Sequence, residues 1–367
     1  MTTVTARPVG DGSRATAAPA RAPADATGRG TRRFAAVVAV LLVLIVAGVL
    51  VGMLAGTHGM SPAQVVDAVA LRWTSAAWAE SPAALIVWNL RLPRALLAVL
   101  VGANLAAAGV MLQGVMRNPL AAPDVIGVTA GAALAATVMI VAAPAVAASG
   151  TLAGLALPAA AFAGAAAAAA VVFVLSWQPG VGTSAVRMIL AGVAVAAMIG
   201  GLQGFLMVYF SDRVQGVVLW LAGSLNTRSW RHVALVAPFT LLGLALAAAL
   251  VRPLNLLQLG DTVAHGLGVP VHLTRVVAIA SAALLTGSAV CAVGVLGFVG
   301  LVVPHITRLT VGHGHARLLP AAALAGAALV LWADIGARLL GEVPVGVLTA
   351  LVGGPYFVAL LYGRKLL

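Results

Sequence analysis

Residues 34–54 read FAAVVAVLLVLIVAGVLVGML, a run of 21 residues without a charged side chain. At about 1.5 Å of rise per residue, a helix over this run is roughly 30 Å long, which matches the hydrocarbon thickness of a bilayer. The run therefore predicts a transmembrane helix.

Nine further apolar runs follow the first one, so the pattern predicts a polytopic membrane protein. Of the 367 residues, 62% are hydrophobic and 8% are charged, whereas an average soluble domain has about 25% charged residues. A water-facing surface cannot be built from so few charges, and we expect an all-α fold of about ten transmembrane helices. The nine runs lie at about 92–116, 124–147, 152–176, 188–208, 233–251, 274–293, 295–311, 318–337 and 345–362.

The flanking segments predict the topology. Residues 1–33 are rich in Ala, Pro, Gly, Arg and Thr, which predicts a disordered cytoplasmic tail ahead of one transmembrane domain over 34–367. With the N-terminus in the cytoplasm, inner segments hold 14 basic residues and outer segments 7, as the positive-inside rule favours. Ten spans return the C-terminus to the cytoplasm. The net charge is +12, but the basic residues are scattered singly between apolar runs. This spacing favours loops beside a membrane over a nucleic-acid-binding surface.

A faint internal repeat is visible when the sequence is shifted by 185 residues. The shift superimposes Gly102 on Gly287, Gly109 on Gly294, Pro119 on Pro304 and Gly127 on Gly312. Five predicted spans separate the two copies, so they would run through the bilayer in opposite directions. Inverted repeats of this kind place a transport pathway between two halves.

Residues that the chain lacks exclude several kinds of enzyme. A P-loop needs a lysine on the nucleotide phosphates, and the only lysine is Lys365, so the chain is not an ATPase of that type. No Gly-x-Ser-x-Gly, His-Glu-x-x-His or Cys-x-x-Cys motif occurs, and we expect no catalytic residue, no cofactor and no metal site.

The acidic residues bear on how transport would be driven. None of the nine acids falls at mid-membrane in the predicted topology, which disfavours an ion-coupled secondary transporter. Sodium bound by backbone carbonyls keeps that alternative open. If it does not apply, the energy for transport has to come from another subunit.

One inner loop, residues 252–273, is too polar to span the membrane, yet its leucines recur at helical spacing. The pattern predicts two short amphipathic helices broken at Gly260 and at Gly266–Gly268, with Asp261 capping the second helix. Such an element suits the membrane surface or the groove of a partner protein. A plain connector is the alternative.

At the outer end of the second predicted span, residues 88–94 read WNLRLPR. Arg91 and Arg94 are three residues apart beside Pro93, which suits the start of a helix, and they present two guanidinium groups on one face. These groups could receive carboxylates of a soluble partner. The alternative is that both arginines reach to lipid phosphates.

Ten short motifs occur in order along the chain. They are Leu90-Arg-Leu-Pro-Arg94, Val101-Gly-Ala103, Arg117-Asn-Pro-Leu-Ala121, Leu190-Ala-Gly-Val-Ala194, Trp220-Leu-Ala-Gly-Ser-Leu225, Leu254-Asn-Leu-Leu-Gln-Leu-Gly260, Gly297-Phe-Val-Gly-Leu-Val-Val-Pro-His305, Ala333-Asp-Ile-Gly-Ala-Arg338, Val343-Pro-Val-Gly-Val347 and Gly353-Gly-Pro-Tyr-Phe357. Together they resemble the FecCD family, the permease subunits of ABC importers for iron–siderophore complexes, haem and vitamin B12. The resemblance extends from about residue 35 to the C-terminus.

The resemblance implies an assembly in the plasma membrane of a bacterium. Members of that family have ten spans and pair as dimers, of two identical or two related subunits, with the transport pathway between them. Two cytoplasmic ATPase subunits drive transport, and a periplasmic or lipoprotein binding protein delivers the chelate. The resemblance implies a chelate as the ligand: an iron–siderophore complex is the first choice, because such importers dominate the family, and haem or a cobalamin-like ligand stays open.

It also implies roles for particular residues. Three arginines are expected to meet acidic residues of the binding protein: Arg91, Arg94 and Arg338. The loop 254–269 matches the coupling helices that contact the ATPase, through Leu256, Leu259, Gly260, Asp261, Ala264 and Gly268. The fifth span (188–208) and the segment 212–226 are expected to line the pathway. Gate and pathway positions are Thr183, Ser184 and Gly192, although Ala185 and Val186 stand where the family has its pair of hydroxyl residues.

His305 lies in an apolar segment, which raises the question of an iron ligand. A histidine that is hydrogen-bonded beside the Pro304 kink is the interpretation we favour. A substrate that arrives already chelated needs no protein ligand for its metal.

Overall fold

Each of the ten apolar runs overlaps a helix of the computed structural model, which describes residues 25–56, 59–74, 76–142, 153–178 and 182–362. The α-helices are α1 Asp25–Leu54, α2 Pro62–Thr74, α3 Pro82–Leu85, α4 Leu92–Met116, α5 Val128–Ala142, α6 Ala153–Ser176, α7 Ala185–Tyr209, α8 Val214–Leu221, α9 Trp230–Ala249, α10 Val251–Leu257, α11 Asp261–Gly266, α12 Val271–Val293, α13 Val299–Val311, α14 His315–Leu339 and α15 Val345–Tyr362. A π-helical turn, Ile86–Arg91, joins α3 to α4 in one continuous helix. A two-stranded antiparallel hairpin, β1 Trp177–Gln178 and β2 Gly182–Thr183, precedes α7.

Seven helices in the described part of the chain are long and apolar enough to cross a membrane, so the protein is a multi-pass membrane protein. They are Gly30–Leu54, Pro82–Met116, Leu155–Ser176, Val186–Tyr209, Trp230–Ala249, Val271–Val293 and His315–Leu339. Three shorter apolar helices accompany them: Val128–Ala142, Val299–Val311 and Val345–Leu360.

Helices α4, α12 and α14 form the centre of the bundle and are its most buried long helices. Glycines let α4 and α14 approach closely: a Cβ on Gly102 would lie 2.1 Å from the carbonyl oxygen of Gly326. The reverse contact is equally short, at 2.2 Å. Small residues at a crossing are what membrane helices use to gain packing contacts, because burial from water no longer drives their association.

The bundle has two ends. We call the end where α4 begins and α14 finishes the arginine end, after Arg91, Arg94 and Arg338. At the opposite end α4 finishes and α14 begins, beside α10 and α11; we call it the short-helix end. Helix α7 lies at the edge of the bundle, since only 11% of its most apolar 18-residue stretch is buried.

The first helix begins earlier than the composition predicted. Residues 25–33, assigned to a disordered tail, are the first turns of α1, and the rest of that tail lies outside the described residues. Contacts with other helices hold these turns. Arg317 donates a hydrogen bond to the Thr31 hydroxyl at 3.1 Å, and Arg33 reaches the carbonyl oxygen of Leu309 at 3.5 Å.

At two of the four pairs of positions that the 185-residue shift superimposes, the local structure differs. Pro119 lies in a turn, whereas Pro304 lies inside α13. Gly109 lies inside α4, whereas Gly294 follows the end of α12 with φ +81°. Gly127 and Gly312 do agree, because both have a positive φ, of 73° and 90°.

Candidate functional site

The arginine end is organised around the last turn of α1. Arg91 is only 6% exposed and donates hydrogen bonds to the carbonyl oxygens of Met53 at 2.6 Å and Leu54 at 3.1 Å. Arg338 donates to the Gly52 carbonyl oxygen at 2.9 Å. Two guanidinium groups therefore satisfy carbonyl groups that a helix end leaves unpaired, and their charge opposes the negative end of the helix dipole.

A buried carboxylate, that of Asp334, links Arg94 to Arg338. Asp334 is 1% exposed and accepts hydrogen bonds from Arg94 at 2.9–3.1 Å and from Arg338 at 2.6–3.0 Å. Arg94 also contacts Glu342, whose side chain is 26% exposed, at 2.9 Å. The three arginines predicted from the sequence do come together, but the contacts they make in this chain are internal.

A cavity of about 320 Å³, which we call the arginine cavity, opens beside this network. Its lining includes Arg91, Arg94, Arg338 and a fourth arginine, Arg228, which the sequence motifs did not single out. The Nε of Arg228 is buried without a hydrogen-bond partner among the described residues. Burial lowers the pKa of Arg228 from its usual value. The network contains these four arginines and two carboxylates, those of Asp334 and Glu342, so it carries two excess positive charges.

The cavity rim holds two residues in strained backbone conformations. Glu342 has φ +61° and Thr227 has φ +59°, a left-handed region in which side chains other than glycine are uncommon. Strained residues of this kind cluster at functional sites when the surrounding structure holds them.

At the short-helix end, α10 and α11 confirm the predicted pair of short helices, and the chain turns between them at Gly260 with φ +109°. Leu254, Leu257 and Ala264 are almost completely buried and hold the pair against the bundle. The expected capping role of Asp261 is wrong. Its side chain makes no capping bond because it forms ion pairs with Arg117 and with Arg275, the latter at 2.8 Å.

The same segment exposes three apolar side chains, which we call the apolar stripe: Leu259 in the turn before α11, Val263 inside α11 and Leu267 directly after it. Leu259, Val263 and Leu267 are four residues apart and are 60%, 49% and 56% exposed. Of the predicted coupling residues, Leu259 and Gly268 are exposed, Leu256, Gly260 and Asp261 are half-buried, and Ala264 faces the core. The motif comparison missed Val263 and Leu267, although their spacing from Leu259 was visible in the sequence.

The predicted gate residues lie at the start of α7. The Ser184 hydroxyl accepts a hydrogen bond from the Arg187 backbone N–H at 3.2 Å, so Ser184 caps the helix; Thr183 ends β2. Gly192 lies on the buried side of α7, where a Cβ would be 1.7 Å from the carbonyl oxygen of Val125. In this structure Gly192 is thus a packing contact.

The structure corrects the hydrogen bonding expected of His305. The side chain is 7% exposed, and neither ring nitrogen has a hydrogen-bond partner within the described residues. Its ring lies edge-on to that of Tyr356, with centroids 6.3 Å apart. Pro304 lies inside α13.

Fold and site together define a polytopic α-helical membrane protein with a charged cavity at one end and a short helix pair carrying an exposed apolar stripe at the other. The model of the FecCD transport family matches residues 41–363, and the chain belongs to that family.

Similar proteins agree with this assignment. The hemin transport system permease protein HmuU of Yersinia pestis is 44% identical over 294 residues, which are 76% of this chain and 84% of the relative. The Fe(3+) dicitrate transport system permease protein FecD of Escherichia coli is 42% identical over 75% of this chain and 85% of its own length. The cobalamin import system permease protein BtuC of Halobacterium salinarum is 41% identical over 77% and 75%.

Among solved structures, an inward-facing conformation of a metal-chelate type ABC transporter matches with a TM-score of 0.76. The two chains are 31% identical, and the match covers 89% of this chain and 98% of the other.

Proposed function

We propose that this chain is the transmembrane permease subunit of an ABC importer that moves an iron–siderophore, or a similar haem or cobalamin-like chelate, across the bacterial plasma membrane. Family membership and the named relatives support this function. ATP hydrolysis belongs to two partner subunits in the cytoplasm, and a second permease copy or paralogue completes the pathway. The chain itself is no enzyme.

One observation carries the proposal at the level of geometry: the stripe Leu259, Val263 and Leu267 is exposed on a helix pair that is firmly packed on its other side. Exposed leucine and valine side chains on one short segment suit a groove in a partner protein. Since the pair is fixed to α4 and α12 through Asp261, movement of that partner would be transmitted to the bundle.

The test is a pair of substitutions on neighbouring residues of α11, assayed in the complex assembled with its ATPase subunits. Val263→Asp places a charge in the stripe and should abolish transport-coupled ATP hydrolysis without lowering Tm. Thr262→Asp, exposed but outside the stripe, should leave coupling intact. Equal coupling in both variants would contradict the role of the stripe.

At the arginine end we propose docking of the binding protein, with its carboxylates meeting the arginine cavity. The excess positive charge and the unpartnered Nε of Arg228 support this role. Arg91, Arg94 and Arg338 are buried and already paired, so reversing their charge would disturb folding as well as docking.

Arg228→Gln is therefore the sharper substitution, because Arg228 makes no ion pair in the described structure. It should weaken capture of the binding protein while leaving Tm close to wild type. Arg231→Gln, at an exposed position on the first turn of α9, is the matched control. Unchanged capture by the Arg228 variant would exclude Arg228 from the docking surface.

The exposure of α7 supports a pathway between two copies. Open space surrounds Gly200, Gly201 and Gly204, where an added Cβ would meet nothing within 4 Å. A bulky chelate needs such room, and few polar side chains would hold it in transit. Crosslinking of paired cysteines introduced on this face would test the arrangement, and failure to crosslink in the assembled importer would refute it.

We place the arginine end outside and the short-helix end in the cytoplasm, with both termini cytoplasmic. The seven long helices and three shorter apolar helices then supply ten spans. In this proposal the two copies of the repeat run through the bilayer in opposite directions. Accessibility of single cysteines to a membrane-impermeant reagent in intact cells tests the orientation. Labelling of the short-helix end from outside would reverse it.

The alternative function is an ion-coupled secondary transporter. In the part of the chain that the structure describes, Asp334 is the one buried acid, and it is already matched by two arginines. The discriminating experiment is uptake by the purified chain in liposomes under a proton or sodium gradient. Accumulation of solute without the ATPase subunits would establish the alternative.

The substrate is identified in a separate experiment, which compares uptake of labelled ferric siderophore with uptake of labelled cobalamin in a deletion strain.

A further inference from the structure

A second polar cavity lies at the short-helix end, at the opposite end of the bundle from the arginine cavity. It has a volume of about 420 Å³ and lies between the end of α4, the second half of α13 and the turn after α10. We call it the histidine cavity. Among the described residues its polar lining holds no carboxylate and comprises Gln113, Arg117, Asn118, Gln258, His305, Arg308 and His313.

His305 gives the cavity an unmet hydrogen-bonding demand. The residue is more than nine-tenths buried, it lines the cavity, and neither of its ring nitrogens is hydrogen-bonded in the part of the chain that the structure describes. A neutral imidazole has one N–H donor and one acceptor nitrogen, and a buried group without a partner destabilises the fold. A ligand that accepts a hydrogen bond from His305 would remove that penalty.

The two arginines that line the cavity are held in place by the protein. Arg308 donates a hydrogen bond to the side-chain oxygen of Gln113 at 2.8 Å, and Gln113 donates in turn to the Leu301 carbonyl oxygen at 3.2 Å. Arg117 has φ +49°, a conformation that side chains other than glycine rarely adopt, and it shares Asp261 with Arg275.

The local charge favours an anion despite the helix dipoles. Helices α4 and α13 both finish beside the cavity, and a helix C-terminus carries about half a negative charge. Arg117 and Arg308 lie at these two ends and offset the dipoles with one full charge each. The carboxylate of Asp261 is shared between Arg117 and Arg275, so it does not neutralise them both.

We propose that the histidine cavity binds a phosphate-type oxyanion, supplied either as free inorganic phosphate or as the headgroup of an anionic phospholipid. Guanidinium groups pair with two phosphate oxygens at once, and the imidazole N–H and the amides of Asn118 and Gln258 supply further donors. Basic cavities at the cytoplasmic ends of membrane helices are where phospholipid headgroups bind. The bound anion would join Gln258 of the short-helix pair to α4 and α13.

The test uses thermal unfolding of the full chain in neutral detergent, with potassium phosphate titrated to about 50 mM against potassium chloride of equal ionic strength. A ligand bound only by the folded state raises Tm as its concentration passes Kd. In the second arm, native mass spectrometry compares retention of phosphatidylglycerol with that of phosphatidylcholine. A response to phosphate alone identifies the free anion, and selective retention of phosphatidylglycerol alone identifies the headgroup.

His305→Leu separates a binding role from a structural one. Leucine removes both unpartnered nitrogens, so the unliganded variant should unfold at the wild-type Tm or above it, while the response to the anion is lost. Arg308→Gln should weaken binding at least about tenfold, and Arg252→Gln, an exposed arginine at the same end outside the cavity, should bind as wild type.

Two outcomes would overturn the proposal. One is a wild-type protein that responds to neither probe beyond the chloride control. The other is a His305→Leu variant that responds as strongly as wild type.

Discussion

Asp334→Asn tests whether the arginine end is a stabilising network. Asp334 is 1% exposed and accepts from the guanidinium groups of Arg94 and Arg338. Asparagine has nearly the same shape, but it removes the negative charge and turns one oxygen into an N–H₂ donor that faces other donors. Arg338 is then left without its counter-charge, and Arg94 keeps only the partly exposed Glu342.

The magnitude follows from the burial of this ion pair. Removing one partner of a buried pair costs about 3–5 kcal/mol, because the remaining charge stays desolvated. For a chain of this size such a loss lowers Tm on the order of 5–10 °C. Glu342→Gln should cost far less, about 0–1 kcal/mol, because Glu342 is partly exposed and contacts Arg94 alone in the network.

The chain carries its own probe for the assay. Cys291 is the only cysteine in the sequence and is 3% exposed in α12, so a thiol-reactive dye reports the unfolding of the core. Scans at one fixed rate in detergent make the variants comparable even where unfolding is irreversible. Asp212→Asn, the same chemical change at an exposed acid beside Arg213, is the matched control and should leave Tm unchanged.

One result would refute the reasoning. If Asp334→Asn unfolds within about 2 °C of wild type, the five Asp334 contacts do not stabilise the folded chain. The arginines would then tolerate the loss of their internal partner.

Three further outcomes are expected. Gly192→Ala should lower Tm and displace α7, because the added Cβ would lie 1.7 Å from the Val125 carbonyl oxygen, whereas Gly200→Ala meets nothing and should be neutral; equal Tm values would contradict the packing assignment. Glu342→Gln should strengthen capture of the binding protein several-fold, since Arg94 loses its competing carboxylate, and weaker capture in a surface-binding assay would contradict that competition. Leu259→Asp should uncouple ATP hydrolysis from transport at unchanged Tm, and normal coupling in the reconstituted importer would exclude Leu259 from the contact.

Periodicity and length predicted the helices well. Residues 185–209 and 315–339 form single helices close to the predicted runs, because a long apolar segment has few alternatives in a bilayer. The start of α1 was missed because Thr31 and Arg33 contact Arg317 and Leu309, which are distant in sequence. Composition cannot reveal such contacts.

The sites were predicted in part. The resemblance grouped Arg91, Arg94 and Arg338, and all three line one cavity. It could not show that Asp334 and Glu342 already pair with two of them, and their docking role stays a prediction. Pairing across more than 200 residues depends on helix packing, which a single sequence does not display. The unpartnered nitrogens of His305 are likewise a property of the assembled fold.

The close crossing of α4 and α14 at Gly102 and Gly326 has a mechanical consequence. Each of these helices runs from the arginine end to the short-helix end, and their backbones touch with no side chain between them. Two helices packed this closely resist bending, so a displacement at one end of the pair is transmitted to the other end. Any hinge of the molecule would then have to lie outside this pair, among the less buried helices, of which α1 and α7 are the least buried of the seven long ones.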